Sequence, residues 1–167
     1  MNFGGLPQRP RVLLGAVGLC GLGLVAGGVV LARTMNLAAC PLCIVQRMLY
    51  LLLAVEALAL LPLAGGNAAR RFGAMLMAAT AGTGAFVAGY QTWLQRFAQG
   101  VECTADQPWW EQFVNWAGAQ WPLLFEATGL CSEAGWKFLG LSIAEWSLAI
   151  FGAMTLVCLR AALLRGR

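Results

Sequence analysis

The chain has 167 residues, of which 60% are hydrophobic and only 11% charged, and its formal net charge is +4 at pH 7. This composition is too apolar and too poor in charge for an ordinary soluble domain, so it indicates a membrane protein. The positive charge is no sign of a nucleic-acid partner, because in a membrane chain the division of Lys and Arg between the two sides matters more than their total.

Four stretches are long and apolar enough to cross a bilayer, which takes about 20 residues of helix. They cover about residues 12–32, 44–64, 72–94 and 143–163. The sequence therefore predicts an all-α membrane protein, in which residues 1–167 form a single integral-membrane domain built as a four-transmembrane-helix bundle. Small residues predict close helix packing in the third span at Ala81, Ala85 and Gly89. In the first span they predict a packing face of Gly15, Gly18, Gly21, Gly23, Gly27 and Gly28, which includes Gly23-x-x-x-Gly27.

The distribution of basic residues predicts the orientation. The termini and the loop between spans two and three share one side, which holds Arg9, Arg11, Arg70, Arg71, Arg160, Arg165 and Arg167. The opposite side holds Arg33, Arg47, Arg96 and Lys137. The positive-inside rule then predicts that both termini are cytoplasmic and that the loops at about 33–43 and 95–142 face outward.

The second outer loop contains a predicted short helix between Pro108 and Pro122. One broad face of this helix would carry Trp109, Trp110, Phe113, Val114 and Trp116, and another would carry Glu111, Gln112 and Asn115. We expect the helix to lie in the membrane interface with its rings in lipid, holding Cys103 near the membrane surface. The alternative is an ordinary helix that covers the top of the bundle.

The predicted orientation sorts the six cysteines. Cys20 and Cys158 lie within the first and last spans, where we expect them to behave as inert small hydrophobic residues. The outward side holds the other four, which are Cys40, Cys43, Cys103 and Cys131. They form an even set in a compartment where disulfides can persist.

The pair Cys40 and Cys43 stands at the predicted start of the second span, because Pro41 is well suited to the first turn of a helix. Cys43 would then lie at the positive end of the helix dipole, with Arg47 one turn deeper on the same face. Both features favour a thiolate. The Arg47 guanidinium could also hydrogen-bond a ligand carbonyl, although snorkelling toward lipid headgroups is the alternative explanation for an arginine at this depth.

Other interpretations of this motif fit less well. A zinc site would need Cys103 and Cys131 as further ligands, and their spacing does not match that of zinc ribbons. The stretch "LAAC" at 37–40 resembles a lipobox, but Arg33 interrupts the apolar run before it. A purely structural disulfide is plausible for Cys103 and Cys131, whereas the loop between Cys40 and Cys43 is too short to stabilise the fold much. A redox relay toward a membrane quinone uses all of these residues.

Several motifs together match a known family. They are Cys40-x-x-Cys43 followed by Arg47, "YQTWLQ" at 90–95, Cys103 soon after it, and "LCSEAGWKFLGLSIAEW" at 130–146. Over nearly its whole length the chain resembles the bacterial disulfide bond formation protein B (DsbB) family of quinone-dependent thiol oxidases. The resemblance implies an inner-membrane thiol:quinone oxidoreductase. Such an enzyme reoxidises a periplasmic thioredoxin-fold partner, DsbA-like, passes electrons to ubiquinone or menaquinone, and so supports disulfide bond formation.

The resemblance also implies a role for each motif residue. Cys103 would form the mixed disulfide with the partner, and Cys131 would exchange with Cys40. Cys43 would face the quinone as a thiolate, and Arg47 would bind a quinone carbonyl.

The chain departs from some relatives at the end of the third span. Tyr90 and Gln91 stand where those relatives have an acidic residue and a histidine, and this chain contains no histidine at all. A proton-shuttling histidine is therefore excluded, and we expect Gln91 and Gln95 to hydrogen-bond the quinone. Deeper in the bilayer, Glu56 is expected to make an interhelical hydrogen bond.

Two alternative functions stay open at this point. One is a non-enzymatic membrane scaffold with a disulfide-stapled outer loop. The other is a vitamin K epoxide reductase-like enzyme, which shares the chemistry.

Overall fold

The computed structural model describes residues 10–63, 67–97 and 108–163. Its long helices are α1 (Pro10–Thr34), α2 (Pro41–Leu63), α3 (Asn67–Phe97) and α6 (Ile143–Leu163). Each is long and apolar enough to cross a membrane, which confirms the predicted all-α bundle with four spanning helices. Between α3 and α6 lie α4 (Trp109–Gln120), α5 (Pro122–Phe125) and a hairpin of β1 (Lys137–Phe138) and β2 (Leu141–Ser142).

The four long helices pack in a closed ring. Helix α1 packs on α2, α2 on α3, α3 on α6 and α6 back on α1, and the α3–α6 contact is the most extensive. Leu53, Met77 and Phe151 are fully buried between them. A Cβ at Gly84 would stand 2.3 Å from the Phe151 ring, so this large side chain requires glycine on the facing helix.

The predicted glycine packing face on α1 is confirmed at Gly18 and Gly21 but not at Gly23 and Gly27. A Cβ at Gly18 would meet Ala57 at 2.5 Å, and one at Gly21 would meet the Tyr50 carbonyl oxygen at 2.8 Å. Gly23 and Gly27 have nothing within 4 Å, so the expectation that this pair packs closely is wrong. Helix α1 approaches α2 one turn nearer its N-terminus than the Gly-x-x-x-Gly spacing suggests.

A capping box begins α6. The Ser142 amide donates to the Glu145 carboxylate at 2.7 Å, and the Glu145 amide donates to the Ser142 hydroxyl at 3.3 Å. This reciprocal pair satisfies two amides at the helix start. Arg96 near the end of α3 also pairs with Glu145, which ties α3 to the start of α6.

The hairpin before α6 turns through Leu139 and Gly140, which have φ values of 52° and 82°. Positive φ at both central residues is the type I′ geometry that suits a two-residue hairpin loop. The indole of Trp146 donates to the Phe138 carbonyl at 3.0 Å, so the hairpin is attached to α6.

Helix α4 buries a face that includes small residues and leaves most of the predicted aromatic face exposed. Its buried residues are Glu111, Val114, Ala117 and Gly118, whereas Trp109, Phe113 and Trp116 are more than half exposed. The expectation that Val114 shares the aromatic face is therefore wrong, because Val114 is buried together with Glu111. The small residues explain the difference, since a Cβ at Gly118 would meet the Phe125 carbonyl oxygen at 2.7 Å. A location of α4 in the membrane interface stays a prediction.

The expected interhelical contact of Glu56 is confirmed. The Thr80 hydroxyl of α3 donates to its carboxylate at 2.8 Å.

Candidate active site

The first turn of α2 directs its free amides at cysteine sulfurs. Cys40 is the N-cap residue, since its carbonyl accepts from the Ile44 amide at 3.1 Å and its sulfur accepts from the Cys43 amide at 3.4 Å. The Leu42 amide is hydrogen-bonded to the sulfur of Cys131. These amides have no partner within the helix, and they carry the positive end of its dipole, so they favour negative charge on sulfur.

Three cysteines form a continuous chain of sulfur contacts. The sulfur of Cys40 lies 3.0 Å from that of Cys43, and the Cys40 thiol also interacts with the Cys131 thiol. Cys40 is buried, whereas Cys43 and Cys131 are partly accessible. Cys40 is thus the central sulfur, with one possible disulfide partner on each side.

The thiols of Cys131 and Cys40 differ in acidity. The side-chain hydrogen bond from Cys40 lowers the pKa of Cys131, and the Leu42 amide adds to this effect against the cost of burial. The hydrogen bonds to Cys131 and Cys43, together with burial, raise the pKa of Cys40. Cys131 is therefore the better thiolate of the two and Cys40 the better target of thiolate attack.

Backbone contacts hold Cys131 beside Cys40. The amides of Thr128 and Gly129 both donate to the Ala39 carbonyl at 2.9 Å. A Cβ at Gly129 would stand 2.6 Å from the Ala38 carbonyl oxygen, so only glycine permits this approach. The segment before Cys131 is fixed against the segment before Cys40.

Two buried glutamines lie on the other side of the sulfurs. The Gln91 amide nitrogen donates to the sulfurs of Cys40 and Cys43, at 3.1 Å each. The Gln46 amide nitrogen donates to the Gln91 carbonyl oxygen at 2.6 Å. The side-chain amide of Gln91 on α3 therefore connects Gln46 of α2 to the sulfurs of both Cys40 and Cys43.

Below the sulfurs is a cavity of about 240 Å³. Its walls include apolar residues of α1, among them Leu24, Val25 and Leu31. Its polar lining includes Cys43, Gln46, Arg47, Tyr50, Gln91 and Ser147. The deepest polar contact is between the hydroxyls of Tyr50 and Ser147, 2.9 Å apart. An apolar cavity with a few convergent polar groups is the usual form of a small-molecule site.

Arg47 lies between this cavity and the outer loop. Its side chain is half-buried and lines the cavity, while its guanidinium donates to the Leu124 carbonyl of α5. The guanidinium has five N–H groups, so this contact leaves donors available for a second acceptor.

The protein-family model of disulfide bond formation protein DsbB matches residues 10–161. The chain belongs to the DsbB family. A disulfide bond formation protein B from Dechloromonas aromatica is 41% identical over 146 residues, which are 86% of this chain and 87% of that protein. One from Nitrosospira multiformis is 39% identical over 148 residues, 87% of each chain. One from Albidiferax ferrireducens is 36% identical over 157 residues, 93% of this chain and 89% of the relative.

Membership of the DsbB family makes the chain a multi-pass membrane protein of disulfide bond formation. Most residues that the sequence singled out come together at one end of the bundle, here called the cysteine end. Cys40, Cys43, Arg47, Gln91 and Gln95 all line the cavity. The Gln95 amide donates to the Glu133 carbonyl at 3.4 Å.

The remaining cysteines of this DsbB-family chain lie elsewhere. Cys103 falls outside the described residues. Cys20 is exposed on α1, and Cys158 is fully buried on α6, so neither belongs to the sulfur chain.

Sequence reasoning did not identify three polar cavity residues, which are Gln46, Tyr50 and Ser147. A helical repeat would have found the first two, because they share one face of α2 with Cys43 and Arg47 at spacings of three, four and seven residues. Ser147 had no such signal, since its position depends on how α6 packs against α2.

Proposed function

We propose that this DsbB-family protein is a thiol:quinone oxidoreductase. It reoxidises a periplasmic DsbA-like dithiol oxidase of thioredoxin fold and passes the electrons to a membrane quinone, ubiquinone or menaquinone. One observation carries the proposal: Cys43 belongs both to the sulfur chain and to the lining of the apolar cavity beside Arg47. Cys43 is therefore the residue through which the thiol relay would reach a cavity of the size of a quinone ring.

The sulfur chain supports a directional exchange. In the proposed cycle the partner's thiolate attacks Cys103, which releases Cys131 from a Cys103–Cys131 disulfide. The Cys131 thiolate then attacks Cys40, so that a Cys40–Cys131 bond forms, the Cys40–Cys43 bond breaks, and Cys43 leaves as a thiolate. The contacts of Cys40 with both other sulfurs, and the lowered pKa of Cys131, favour this order.

The cavity residues fit a quinone head group. Apolar residues of α1 would contact the ring, and donors from Arg47 and the Tyr50–Ser147 pair are available for its carbonyl oxygens. When bound, a quinone supplies the two-electron acceptor for the dithiol. Arg47 would bind a carbonyl oxygen and stabilise negative charge there, because a half-buried guanidinium acts at lower dielectric than in water.

The proposal also sets the location of the protein. The cysteine end faces the periplasm, both termini lie in the cytoplasm, and the bundle spans the bacterial inner membrane. A partner approaching from the periplasm then meets the loop that carries Cys103.

The test is quinone reduction by the purified full chain, supplied with a reduced DsbA-like protein and a water-soluble ubiquinone analogue. We expect Cys40→Ser and Cys43→Ser to abolish turnover, because each removes one sulfur of the exchanging disulfide. Arg47→Ala should mainly raise KM for the quinone, with a smaller effect on kcat.

Cys20→Ser is the matched control, because Cys20 is an exposed cysteine outside the sulfur chain. It should turn over at the wild-type rate. Sustained turnover of Cys40→Ser would contradict the relay, and an unchanged KM in Arg47→Ala would contradict the assigned role of the guanidinium.

A further inference from the structure

The side chains of Gln46 and Gln91 form a buried unit, here called the amide pair. Their exposed fractions are only 4% and 1%. The Gln91 NH₂ group donates to Cys40 and Cys43, and the Gln91 carbonyl accepts from Gln46. Burying an amide without hydrogen-bond partners costs free energy. The two glutamine side chains therefore have to be positioned together with the sulfurs of Cys40 and Cys43.

The contact with Gln46 determines which end of the Gln91 amide meets the sulfurs. Rotation of Gln91 by half a turn would present its carbonyl oxygen to Cys40 and Cys43, and a carbonyl can only accept. It would also place an NH₂ group against the Gln46 NH₂ group, leaving two donors face to face. With the Gln46 amide in the orientation that the structure shows, its donation to the Gln91 carbonyl favours the orientation in which Gln91 donates to sulfur.

We propose that Gln91 is a catalytic residue that stabilises negative charge on the leaving sulfur, and that Gln46 is the positioning residue that orients it. When the Cys131 thiolate attacks Cys40, the Cys40–Cys43 bond breaks and Cys43 takes the electron pair. The Gln91 N–H is already aimed at that sulfur, so it acts as the preorganised donor of an oxyanion-hole type of site. This inference rests on the redox role of Cys40 and Cys43 proposed above.

The amide pair, like the backbone amides at the start of α2, does not titrate. The titratable or charged groups around Cys43 are Cys40, Cys131 and Arg47. Tyr50 and Glu133 line the same cavity, and Glu111 on α4 lies near Cys131. A neutral amide donates equally well across the physiological pH range. In a chain without histidine, the stabilisation that Gln91 provides should be independent of pH.

The first experiment measures the redox equilibrium of the Cys40–Cys43 disulfide against glutathione. It uses the full chain in detergent, without quinone or partner protein, and mass spectrometry to follow this cysteine pair. Gln91→Met keeps the side-chain length and removes the donor. We expect its equilibrium constant for reduction to fall about tenfold, which is a potential about 30 mV lower. Thr92→Val is the matched control, because the Thr92 hydroxyl bonds only within its own helix, to Ala88.

The second experiment is a double-mutant cycle between the two glutamines. Gln46→Met should lower the same constant about threefold, because the Gln91 amide then samples both orientations. In the Gln46→Met/Gln91→Met chain the loss should equal that of Gln91→Met alone, since Gln46 acts only through Gln91. If the two glutamines only stabilised the fold, each substitution would lower the stability of the protein independently of the other. The redox potentials of the three variants would then follow no fixed order.

Gln46→Glu gives a readout in pH. An ionised carboxylate can only accept, so it attracts the Gln91 NH₂ group and turns the carbonyl toward the sulfurs. Near neutral pH, Gln46→Glu should lower the equilibrium constant for reduction more than Gln46→Met does. This loss should become smaller at acid pH, where the protonated carboxyl can donate again.

An unchanged equilibrium constant in Gln91→Met would overturn the inference, as would additive losses in the double variant. A wild-type chain in which no Cys40–Cys43 disulfide forms would contradict the proposed function itself. The two failures are therefore distinguishable.

Discussion

At the scale of single residues, the site separates the acidities of chemically identical thiols. Cys131 receives hydrogen bonds from Cys40 and from the Leu42 amide, while Cys40 is buried and donates. In the proposed exchange, position relative to one helix start thus determines which cysteine is the better thiolate and which is the better target. Both groups are cysteine thiols, so only their surroundings distinguish them.

The pH dependence of alkylation tests this assignment in the reduced full chain. Because its pKa is lowered from 9.0, Cys131 should react with iodoacetamide with a midpoint below pH 9.0. Cys40, whose pKa is raised from the same value, should stay largely unreactive there. Mass spectrometry of the alkylated peptides resolves the two residues.

Cys40→Ala removes the hydrogen bond that contributes most to the lowered pKa of Cys131. The Cys131 midpoint should therefore move up toward pH 9.0 in this variant. Cys158→Ala, a change of the buried cysteine on α6, is the control and should leave the midpoint where it is. The assignment is contradicted if Cys131 titrates at the same pH with and without Cys40.

At the scale of elements, the start of α2 and the segment at 128–131 form one unit. Thr128 and Gly129 bond to Ala39, the Leu42 amide bonds to the Cys131 sulfur, and Arg47 bonds to the carbonyl of Leu124 on α5. The loop is thereby attached to the helix that carries the Cys40–Cys43 pair. The proposed exchange between Cys131 and the Cys40–Cys43 pair would depend on this attachment.

Gly129→Ala should weaken that attachment. The added methyl group would meet the Ala38 carbonyl oxygen at 2.6 Å, and backbone atoms yield only by a shift of the segment. Overpacking of this kind costs about 1–3 kcal/mol. We expect the Cys40–Cys131 disulfide, trapped in a Cys43→Ala background, to form at least tenfold more slowly.

Gly135→Ala is the matched control on the same loop, because nothing lies within 4 Å of a Cβ there. It should trap the disulfide at the rate of the Cys43→Ala parent. Equal trapping rates in both glycine variants would show that the close approach at Gly129 does not position Cys131.

At the scale of the whole molecule, the four spanning helices follow from hydropathy, because the bilayer requires about 20 apolar residues for each. The positions of Cys43 and Arg47 on one face of α2 follow from the helical repeat. The contact of Gln91 with Gln46 does not, because it depends on the register of α3 against α2. The burial of Val114 on α4 does not follow from the sequence either, because it depends on the small residues beside it, which allow the close approach.

The central claim is that electrons leave the protein on a quinone at the cysteine end. Its most direct test is an anaerobic titration of the full chain in lipid vesicles, with excess reduced DsbA-like protein and known amounts of ubiquinone. We predict one quinol formed for each disulfide appearing in the partner, with neither product in Cys43→Ser. Partner oxidation without quinol, or quinol formation that persists in Cys43→Ser, would contradict it.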